Sequence, residues 1–193
     1  MRKFFREEKV MKKKYSLRYL LTPDYMFEKY SDISAEFLLE LGIRALLIDI
    51  DNTLAPYEQP DPDDHIRAWF DALKANGIRA ALVSNNHAPR VDRFNQTLGL
   101  LAFSDSKKPR KKTLLLAMRE LGAKPEETAA LGDQLLTDAF GAKRLGLPAI
   151  IVPPIRDKRN LFFRFKRLCE RPFIRKYAKL HKKEPWMAFW KVK

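Results

Sequence analysis

Short apolar runs alternate with amphipathic stretches along most of the chain. Five of the runs are continuously apolar, and this pattern is typical of strands that are buried on both faces. They lie in residues 45–51, where Asp49 and Asp51 end the apolar run, and in residues 78–83, 100–103, 128–131 and 149–152. The stretches around them carry an apolar stripe at helical spacing and predict helices over residues 34–41, 65–76, 89–98, 111–121 and 138–145. Strands that alternate with helices form βαβ units, so the pattern predicts an α/β fold with a three-layer αβα, Rossmann-like parallel sheet.

Polar residues follow three of the predicted strands. After the first, second and fourth strands they are, in order, Asp49 with Asp51, Ser84 with Asn85, and Asp133. Any one of these residues alone would more often belong to a turn or a helix cap. Because parallel α/β sheets bind ligands beyond the carboxyl ends of their strands, we expect all of them to face one crevice.

The two aspartates of the first strand predict a cation. Asp49 and Asp51 would repel each other if both were buried and charged, so a divalent ion or a bound proton must compensate them. Mg²⁺ prefers carboxylate oxygens and phosphate, and Asp133 supplies a third carboxylate from another strand. Asp138 follows in the next predicted helix and is expected to support the site from behind. The residues therefore favour a Mg²⁺ site.

The same edge offers groups that bind anions. Ser84 contributes a hydroxyl, and the backbone N–H groups of Asn85 and Asn86 could cradle an anion. A basic segment lies between the third predicted strand and the next helix. Such a run of charges is usually a solvated loop, but this position would let one lysine, Lys107 or Lys108, neutralise a phosphate group.

Taken in order, these residues resemble the motifs of the haloacid dehalogenase superfamily. Residues 49–53, DIDNT, are similar to its first motif, Ser84 to its second, Lys108 to its third, and residues 132–138, GDQLLTD, to its fourth. The detailed match, with the lysine directly before a proline, is to the YqeG-like phosphatases of subfamily IIIA. These are related to phosphatidylglycerophosphate phosphatase. The resemblance covers residues 20–155 and implies the same fold.

The resemblance implies a Mg²⁺-dependent phosphatase that works through an aspartyl-phosphate. Asp49 would be the nucleophile, and Asp51 would be the general acid and then the general base. The resemblance assigns Mg²⁺ to the Asp49 side chain, the Asp51 backbone carbonyl and the Asp133 side chain. The phosphate-binding candidates are Ser84, Asn85 and Lys108. Thr53 and Asp138 are expected to orient the site residues without binding the phosphate or the ion themselves.

The gaps between the motifs are short, which predicts a site without a cap domain. Residues 54–65 separate the first motif from the next helix, and 23 residues lie between Ser84 and Lys108. Neither gap can hold a folded domain. An uncapped site suits a phosphate presented from a large body, such as a lipid in a membrane or a macromolecule.

The net charge of +14 is concentrated at the two ends of the chain. Residues 1–19 contain eight basic and two acidic residues, and residues 155–193 contain fourteen basic and three acidic ones. The part between them, residues 20–154, is slightly acidic and is the predicted phosphatase domain. Because the basic charge lies in the flanks, we expect the flanks to meet an anionic surface.

The basic tail predicts an amphipathic helical arm. Residues 160–170 place aromatic and aliphatic side chains on one face, Pro172 is expected to interrupt the helix, and the pattern then repeats. Aromatic residues near the end are Trp186, Phe189 and Trp190. The arm fits an anionic membrane surface, but it would equally fit packing of its apolar face on the domain. RNA binding is less favoured because no RNA-binding motif accompanies the basic residues.

These observations predict a cytoplasmic enzyme on the inner face of the membrane. The chain lacks a secretory signal and an apolar segment long enough to span a bilayer, and Cys169 is its one cysteine. The expected substrate is phosphatidylglycerophosphate, converted to phosphatidylglycerol. The alternatives are a phosphatase for a soluble sugar or nucleotide phosphate, and a non-catalytic protein that binds nucleic acid or ribosomes.

Overall fold

A parallel sheet forms the centre of the protein. The computed structural model describes residues 16–156 and 161–181. Within these residues the strands are β1 (Tyr25–Met26), β2 (Ala45–Ile48), β3 (Arg79–Val83), β4 (Leu101–Phe103), β5 (Thr128–Gly132) and β6 (Ala149–Ile151). They pair in parallel in the order β1-β6-β5-β2-β3-β4. The helices are α1 (Leu17–Leu20), α2 (Ala35–Glu40), α3 (Asp64–Ala75), α4 (Ala88–Asn95), α5 (Lys111–Glu120), α6 (Phe140–Lys143) and α7 (Leu161–Leu180).

Helices cover both faces of the sheet, and this confirms the predicted three-layer fold. Successive residues of a strand point to opposite faces of the sheet. Because helices cover both faces, the central strand β2 is buried along its whole length. Leu46 and Ile48 pack in one core with residues of α3 and α4. Leu47 packs in a second core with residues of α5 and α7. A continuously apolar strand is therefore required here, because neither face meets water.

Helix α3 shows how local signals place an element. The Asp63 carboxylate caps its first turn by accepting a hydrogen bond from the Ile66 N–H at 2.9 Å. Its buried positions are Ile66, Trp69, Phe70 and Leu73, which share one face. Gly77 follows the helix with a φ of +75°, a conformation that glycine adopts without strain. The prediction of a helix over residues 65–76 is thus confirmed to within one residue at either end.

Two of the sequence predictions are wrong in detail. The segment predicted as one helix over residues 138–145 begins as a π-helical turn, Leu135–Ala139, and becomes α-helical only afterwards. Pro172 does not interrupt the C-terminal helix, since α7 continues through it. Pro172 lies on the exposed side of α7, where the carbonyl left without an N–H donor can bind water instead.

The C-terminal helix packs on the domain. Ile174 and Tyr177 are buried in the second core, and the Tyr177 hydroxyl donates to the Asp24 carbonyl at 3.5 Å. The packing interpretation of the arm is therefore confirmed for α7. The basic N-terminal residues 1–15 and the three aromatic residues near the C-terminus lie outside the described residues. No helix of the described part combines the length and apolar character needed to cross a membrane.

Candidate active site

A cleft opens at the carboxyl edge of the sheet, where the strand order changes direction. From β2 the chain continues to β3 and β4 on one side, and β5 and β6 lie on the other. Such a switch point leaves a crevice between neighbouring strand ends. The cleft has a volume of about 320 Å³. It is lined by Asp49, Asp51, Asn52, Tyr57, Ser84, Asn85, Asn86, Lys108, Gln134, Thr137, Asp138 and Lys166.

Three buried carboxylates meet at the base of this cleft. They belong to Asp49 at the end of β2, Asp133 after β5, and Asp138 in the π-helical turn. One carboxylate oxygen from each lies within 4.8 Å of the others. Asp138 therefore belongs to the cluster itself, whereas the sequence placed it behind the site.

Gly132 makes the close approach of Asp138 possible. A Cβ atom at this position would lie 2.3 Å from the Asp138 carboxyl carbon, so a larger residue would displace the carboxylate. The Asp138 carboxylate is then held by the Gln134 N–H at 3.2 Å and the Thr137 hydroxyl at 3.1 Å. Asp138, within the π-helical turn, thus lies directly against Gly132 at the end of β5.

Lys108 joins two of the carboxylates. Its ammonium nitrogen lies 2.6 Å from Asp49 Oδ1 and 2.8 Å from Asp138 Oδ1, and it also donates to the Val83 carbonyl at 2.6 Å. Burial by itself would lower the pKa of Lys108, but the two carboxylates outweigh this effect and raise it. Of the two lysines that the sequence left open, the structure brings Lys108 to the site and leaves Lys107 exposed.

The cluster holds more negative than positive charge. Burial raises the pKa of Asp49 to about 7 against the lowering effect of Lys108. Burial likewise raises the pKa of Asp133 to about 6, although Arg167 lowers it. At both residues burial outweighs the neighbouring cation, so further positive charge at this place would favour the ionised carboxylates. A bound cation would supply this charge.

The donor set fits a hard divalent ion. Three carboxylates from two chain segments are the ligands that Mg²⁺ prefers, together with water and a substrate phosphate. The excess of buried carboxylates over cations has the sign that such an ion would neutralise. The residues present therefore fit the metal that the sequence predicted.

Asp51 stands apart from the carboxylate cluster. Its Oδ2 accepts a hydrogen bond from the Asn86 side-chain amide at 3.1 Å. Its Oδ1 accepts one from Arg90 Nε at 3.2 Å, and Arg90 also donates to the Pro60 carbonyl at 2.9 Å. Arg90 was not among the predicted site residues, because an arginine within an amphipathic helix carries no signal of its own. Asp51 is thus held at the mouth of the cleft with a fixed orientation.

Ser84 and Asn85 occupy the end of β3, as expected. The Asn85 side chain accepts hydrogen bonds from the Ser106 hydroxyl and the Lys108 N–H, both at 2.7 Å, and it donates to the Lys108 carbonyl at 3.2 Å. It therefore positions the segment that carries Lys108. The Asn86 N–H donates to the Ser84 hydroxyl at 3.0 Å, so this amide serves the turn rather than standing ready for an anion.

Thr53 lies behind the first aspartate. Its hydroxyl donates to Asp49 Oδ2 at 3.3 Å. The turn between them places Asn52 at a φ of +66°, and asparagine tolerates this left-handed conformation better than most residues. The Asn52 carbonyl in turn accepts a hydrogen bond from the Ile155 N–H at 3.2 Å. The chain after β6 therefore supports the turn that presents Asp49.

Helix α7 contributes residues that the sequence analysis did not predict. Lys166 lines the cleft and lies 3.4 Å from the Gln134 side-chain oxygen. Arg167 forms an ion pair with the Asp133 carboxylate, and Glu170 pairs with Arg167 at 2.9 Å. The sequence did contain a signal for the Arg167–Glu170 pair, because Glu170 is an isolated acid in a basic segment, three residues after an arginine.

Comparison with known proteins gives matches over most of the chain. The family model of the haloacid dehalogenase-like hydrolases matches residues 32–146. The probable phosphatase YqeG of Bacillus subtilis is 34% identical over 158 residues, which are 82% of this chain and 92% of the relative. The glyceraldehyde 3-phosphate phosphatase of Pyrococcus furiosus is 33% identical over 60 residues, which are 31% of this chain and 25% of that protein.

Solved structures also resemble this chain. The cobalt-bound deoxy-D-mannose-octulosonate 8-phosphate phosphatase of Haemophilus influenzae has a TM-score of 0.49 and 16% identity. That alignment covers 80% of this chain and 99% of the other. The 3-deoxy-D-manno-octulosonate 8-phosphate phosphatase of Moraxella catarrhalis, in complex with magnesium ion, phosphate ion and a KDO molecule, has a TM-score of 0.42 and 22% identity. It covers 52% of this chain and 63% of that one.

Proposed function

This chain belongs to the haloacid dehalogenase-like hydrolase family and is a phosphatase, and we propose that its reaction holds the phosphoryl group covalently on Asp49. One observation carries the proposal. Asp49 is buried at the base of an open cleft, next to Lys108 and two further carboxylates. A carboxylate in this place can attack phosphorus only if the charge on both groups is neutralised, and the surrounding residues provide for that.

The first step forms one bond and breaks one. A carboxylate oxygen of Asp49 attacks phosphorus, and the bond from phosphorus to the ester oxygen breaks. Asp51 gives a proton to the departing alcohol, which is the role of a general acid. Arg90 and Asn86 keep the Asp51 carboxyl in position at the mouth of the cleft.

The second step returns Asp49 to its starting state. Asp51, now ionised, takes a proton from water, and the oxygen of that water attacks phosphorus. The bond between phosphorus and the Asp49 oxygen breaks, which releases inorganic phosphate. Ser84 and Lys108 bind the phosphoryl oxygens during both steps.

Mg²⁺ fits the same cluster. We assign it to the side chains of Asp49 and Asp133 and the backbone carbonyl of Asp51, with Asp138 beside them. A divalent ion supplies positive charge that lets an anionic nucleophile approach a phosphate. Thr53 orients Asp49 from behind through its hydroxyl.

We propose phosphatidylglycerophosphate, a lipid with a phosphorylated head group, as the substrate. Several exposed apolar side chains lie on segments that line the cleft or adjoin it. Tyr57 lines it and is 46% exposed, and Ile155, also 46% exposed, follows the strand end and donates to Asn52. On α7, Phe165 and Leu168 are 63% and 56% exposed and flank Lys166, which lines the cleft. Single exposed apolar residues are ordinary, but their occurrence on three segments next to one cleft supports an apolar partner.

We predict that the protein releases phosphate from phosphatidylglycerophosphate in mixed micelles at least about tenfold faster than from soluble phosphomonoesters. The expected difference arises because the lipid binds both the cleft and its apolar rim, and one tenfold step corresponds to about 1.4 kcal/mol. The measurement is kcat/KM for the lipid beside a panel of sugar and nucleotide phosphates, with Mg²⁺ or with EDTA.

Each result of this measurement has a distinct meaning. A preference for one soluble ester would overturn the lipid assignment and support the alternative substrate class. Activity that persists in EDTA would overturn the metal requirement. Absence of phosphate release from every ester would support a non-catalytic role on this fold, such as nucleic-acid binding.

The anionic membrane surface is the proposed partner of the outer face of α7. Exposed positions recur along this face at helical spacing and are Phe165, Leu168, Pro172, Arg175 and Lys179. Apolar side chains stand at the end near the cleft, and basic ones stand at the other end. A helix with this distribution fits the boundary between lipid headgroups and acyl chains, with its basic residues near anionic lipid. The protein would then act as a peripheral enzyme on the cytoplasmic face of the membrane.

We predict that replacing both Phe165 and Leu168 by serine lowers binding to vesicles rich in phosphatidylglycerol by about tenfold or more. Burial of a large apolar side chain contributes about 1.5–3 kcal/mol, so two lost side chains exceed one tenfold step. Binding is measured by vesicle flotation of the full chain. Leu115→Ser is the matched control, since Leu115 is 48% exposed on α5.

Neutral phosphatidylcholine vesicles separate the two contributions to this binding. The wild-type chain is expected to bind them more weakly than anionic vesicles, because the basic residues gain nothing there. Equal flotation of the double variant and Leu115→Ser would contradict the assignment of this face.

A further inference from the structure

Arg167 is directed from the C-terminal helix into the candidate active site. Its side chain is 22% exposed, and its guanidinium forms an ion pair with the Asp133 carboxylate. It also donates to the Asp133 backbone carbonyl at 2.6 Å. An arginine that binds both the main chain and the side chain of one residue constrains the conformation of that residue.

Glu170 holds Arg167 in this position. One oxygen of its carboxylate lies 2.9 Å from the guanidinium, and the other accepts a hydrogen bond from the Leu136 N–H at 3.1 Å. Glu170 is 1% exposed, so this arrangement is buried. A buried acid of this kind is stable only with such partners. Arg167 and Glu170 therefore hold the start of the π-helical turn that follows β5 through hydrogen bonds to its backbone.

From these contacts we infer that Arg167 is a positioning residue that sets the orientation of Asp133 for a divalent cation. The inference rests on the proposed metal-dependent function and deepens it. A carboxylate can accept hydrogen bonds and bind a cation at the same time through its two oxygens. Arg167 engages Oδ2, so Asp133 contributes to the cation site with its rotation already fixed.

The inference makes the C-terminal helix part of the catalytic unit. Residues 161–180 lie beyond the segment 32–146 that the family model matches. Ile174 and Tyr177 anchor the same helix in the second core, about two and about three turns beyond Arg167. The anchor fixes the helix against the second core, and Arg167 extends that rigidity to a residue of the site.

The test is Mg²⁺ binding measured by titration calorimetry on the full chain in the absence of substrate. Arg167→Met is expected to weaken Mg²⁺ binding about tenfold or more, as loss of a residue that orients a metal ligand commonly does. Arg167→Lys is expected to fall between this variant and the wild type, because lysine keeps the charge but not the planar pair of donors. Arg175→Met, which removes an exposed arginine from the same helix, is expected to stay within about twofold of the wild type.

Three outcomes would overturn the inference. Equal Mg²⁺ affinity in Arg167→Met and Arg175→Met would show that Arg167 has no effect on the cation. Tighter binding in Arg167→Met would show that the guanidinium competes with it. Thermal unfolding identifies variants that fail to fold, and for that case Glu170→Gln is the second variant. It retains an acceptor for the Leu136 N–H but loses the charge that holds Arg167, so unchanged Mg²⁺ binding in it would also overturn the inference.

The experiment distinguishes this inference from the proposed function. If the wild type binds Mg²⁺ but releases phosphate from no ester, the proposed function fails while the comparison of variants still decides the role of Arg167. If the wild type is an active phosphatase and Arg167→Met binds Mg²⁺ normally, the function stands and the inference fails.

Discussion

Replacing Asp49 by asparagine is expected to reduce phosphate release by at least about a thousandfold, because an amide cannot attack phosphorus as a carboxylate does. The loss should appear in kcat, since substrate binding through Ser84 and Lys108 is retained. The assay uses phosphatidylglycerophosphate and any soluble ester that the wild type accepts. Asp71→Asn is the matched control, because Asp71 lies on the exposed face of α3.

The same variant has a predicted effect on stability, and its sign follows from the pKa. Burial raises the pKa of Asp49 from 3.8 to about 7. A carboxyl whose pKa is higher in the folded state stabilises the fold when it is protonated, and this contribution is lost as the pH rises from about 4 to about 7. In EDTA at neutral pH, Asp49→Asn should therefore be at least as stable as the wild type.

For the activity assay, retention of more than a tenth of the wild-type phosphate release in Asp49→Asn would contradict the nucleophile assignment.

The second large effect is expected for Lys108→Met. Without the ammonium group, Asp49 and Asp138 are left as buried carboxylates with no lysine between them. Loss of one partner of a buried ion pair destabilises a protein by about 3–5 kcal/mol. We expect the free energy of unfolding in EDTA to fall by this amount, together with the loss of phosphate binding and activity.

The pH dependence of this destabilisation identifies its cause. At low pH the Asp49 carboxylate of Lys108→Met takes up a proton and no longer requires a cation, so the deficit relative to the wild type should shrink. Urea unfolding at two pH values measures this change. Lys107→Met is the control, since Lys107 is the exposed neighbour and its replacement should change stability by less than about 0.5 kcal/mol. Equal stability of the two variants would contradict the buried role of Lys108.

Much of the site was predictable because its residues are local to strand ends. The apolar run before Asp49 determines that this residue emerges at the carboxyl edge of a parallel sheet, and the same reasoning places Ser84 and Asp133. Parallel topology then forces these ends together whatever the details of the helices. The hydrophobic pattern could not decide between Lys107 and Lys108. The choice depended on side-chain contacts from Asn85 to the segment after β4, which no periodicity encodes.

Short elements defined by pairing were not predictable. Strand β1 contains two residues and is a strand only because Tyr25 and Met26 pair with β6. The π-helical turn at Leu135–Ala139 likewise depends on the contact of Asp138 with Gly132 and Lys108. In each case the stabilising partner lies elsewhere in the chain or depends on a specific side-chain contact. Local propensity therefore says little about these elements.

The sequence by itself determined the sheet, its two helical layers and the chemistry at its carboxyl edge, because hydrophobic period and residue type act locally. Only the tertiary structure decided the position of the C-terminal helix. Its amphipathic pattern fitted a membrane and a protein surface equally, since both accept an apolar face. Burial of Ile174 and Tyr177 and the ion pair of Arg167 with Asp133 join residues more than thirty positions apart. Contacts over such distances follow from the folded arrangement of the whole chain, and they place a helix of the basic tail beside the buried carboxylates of the cleft.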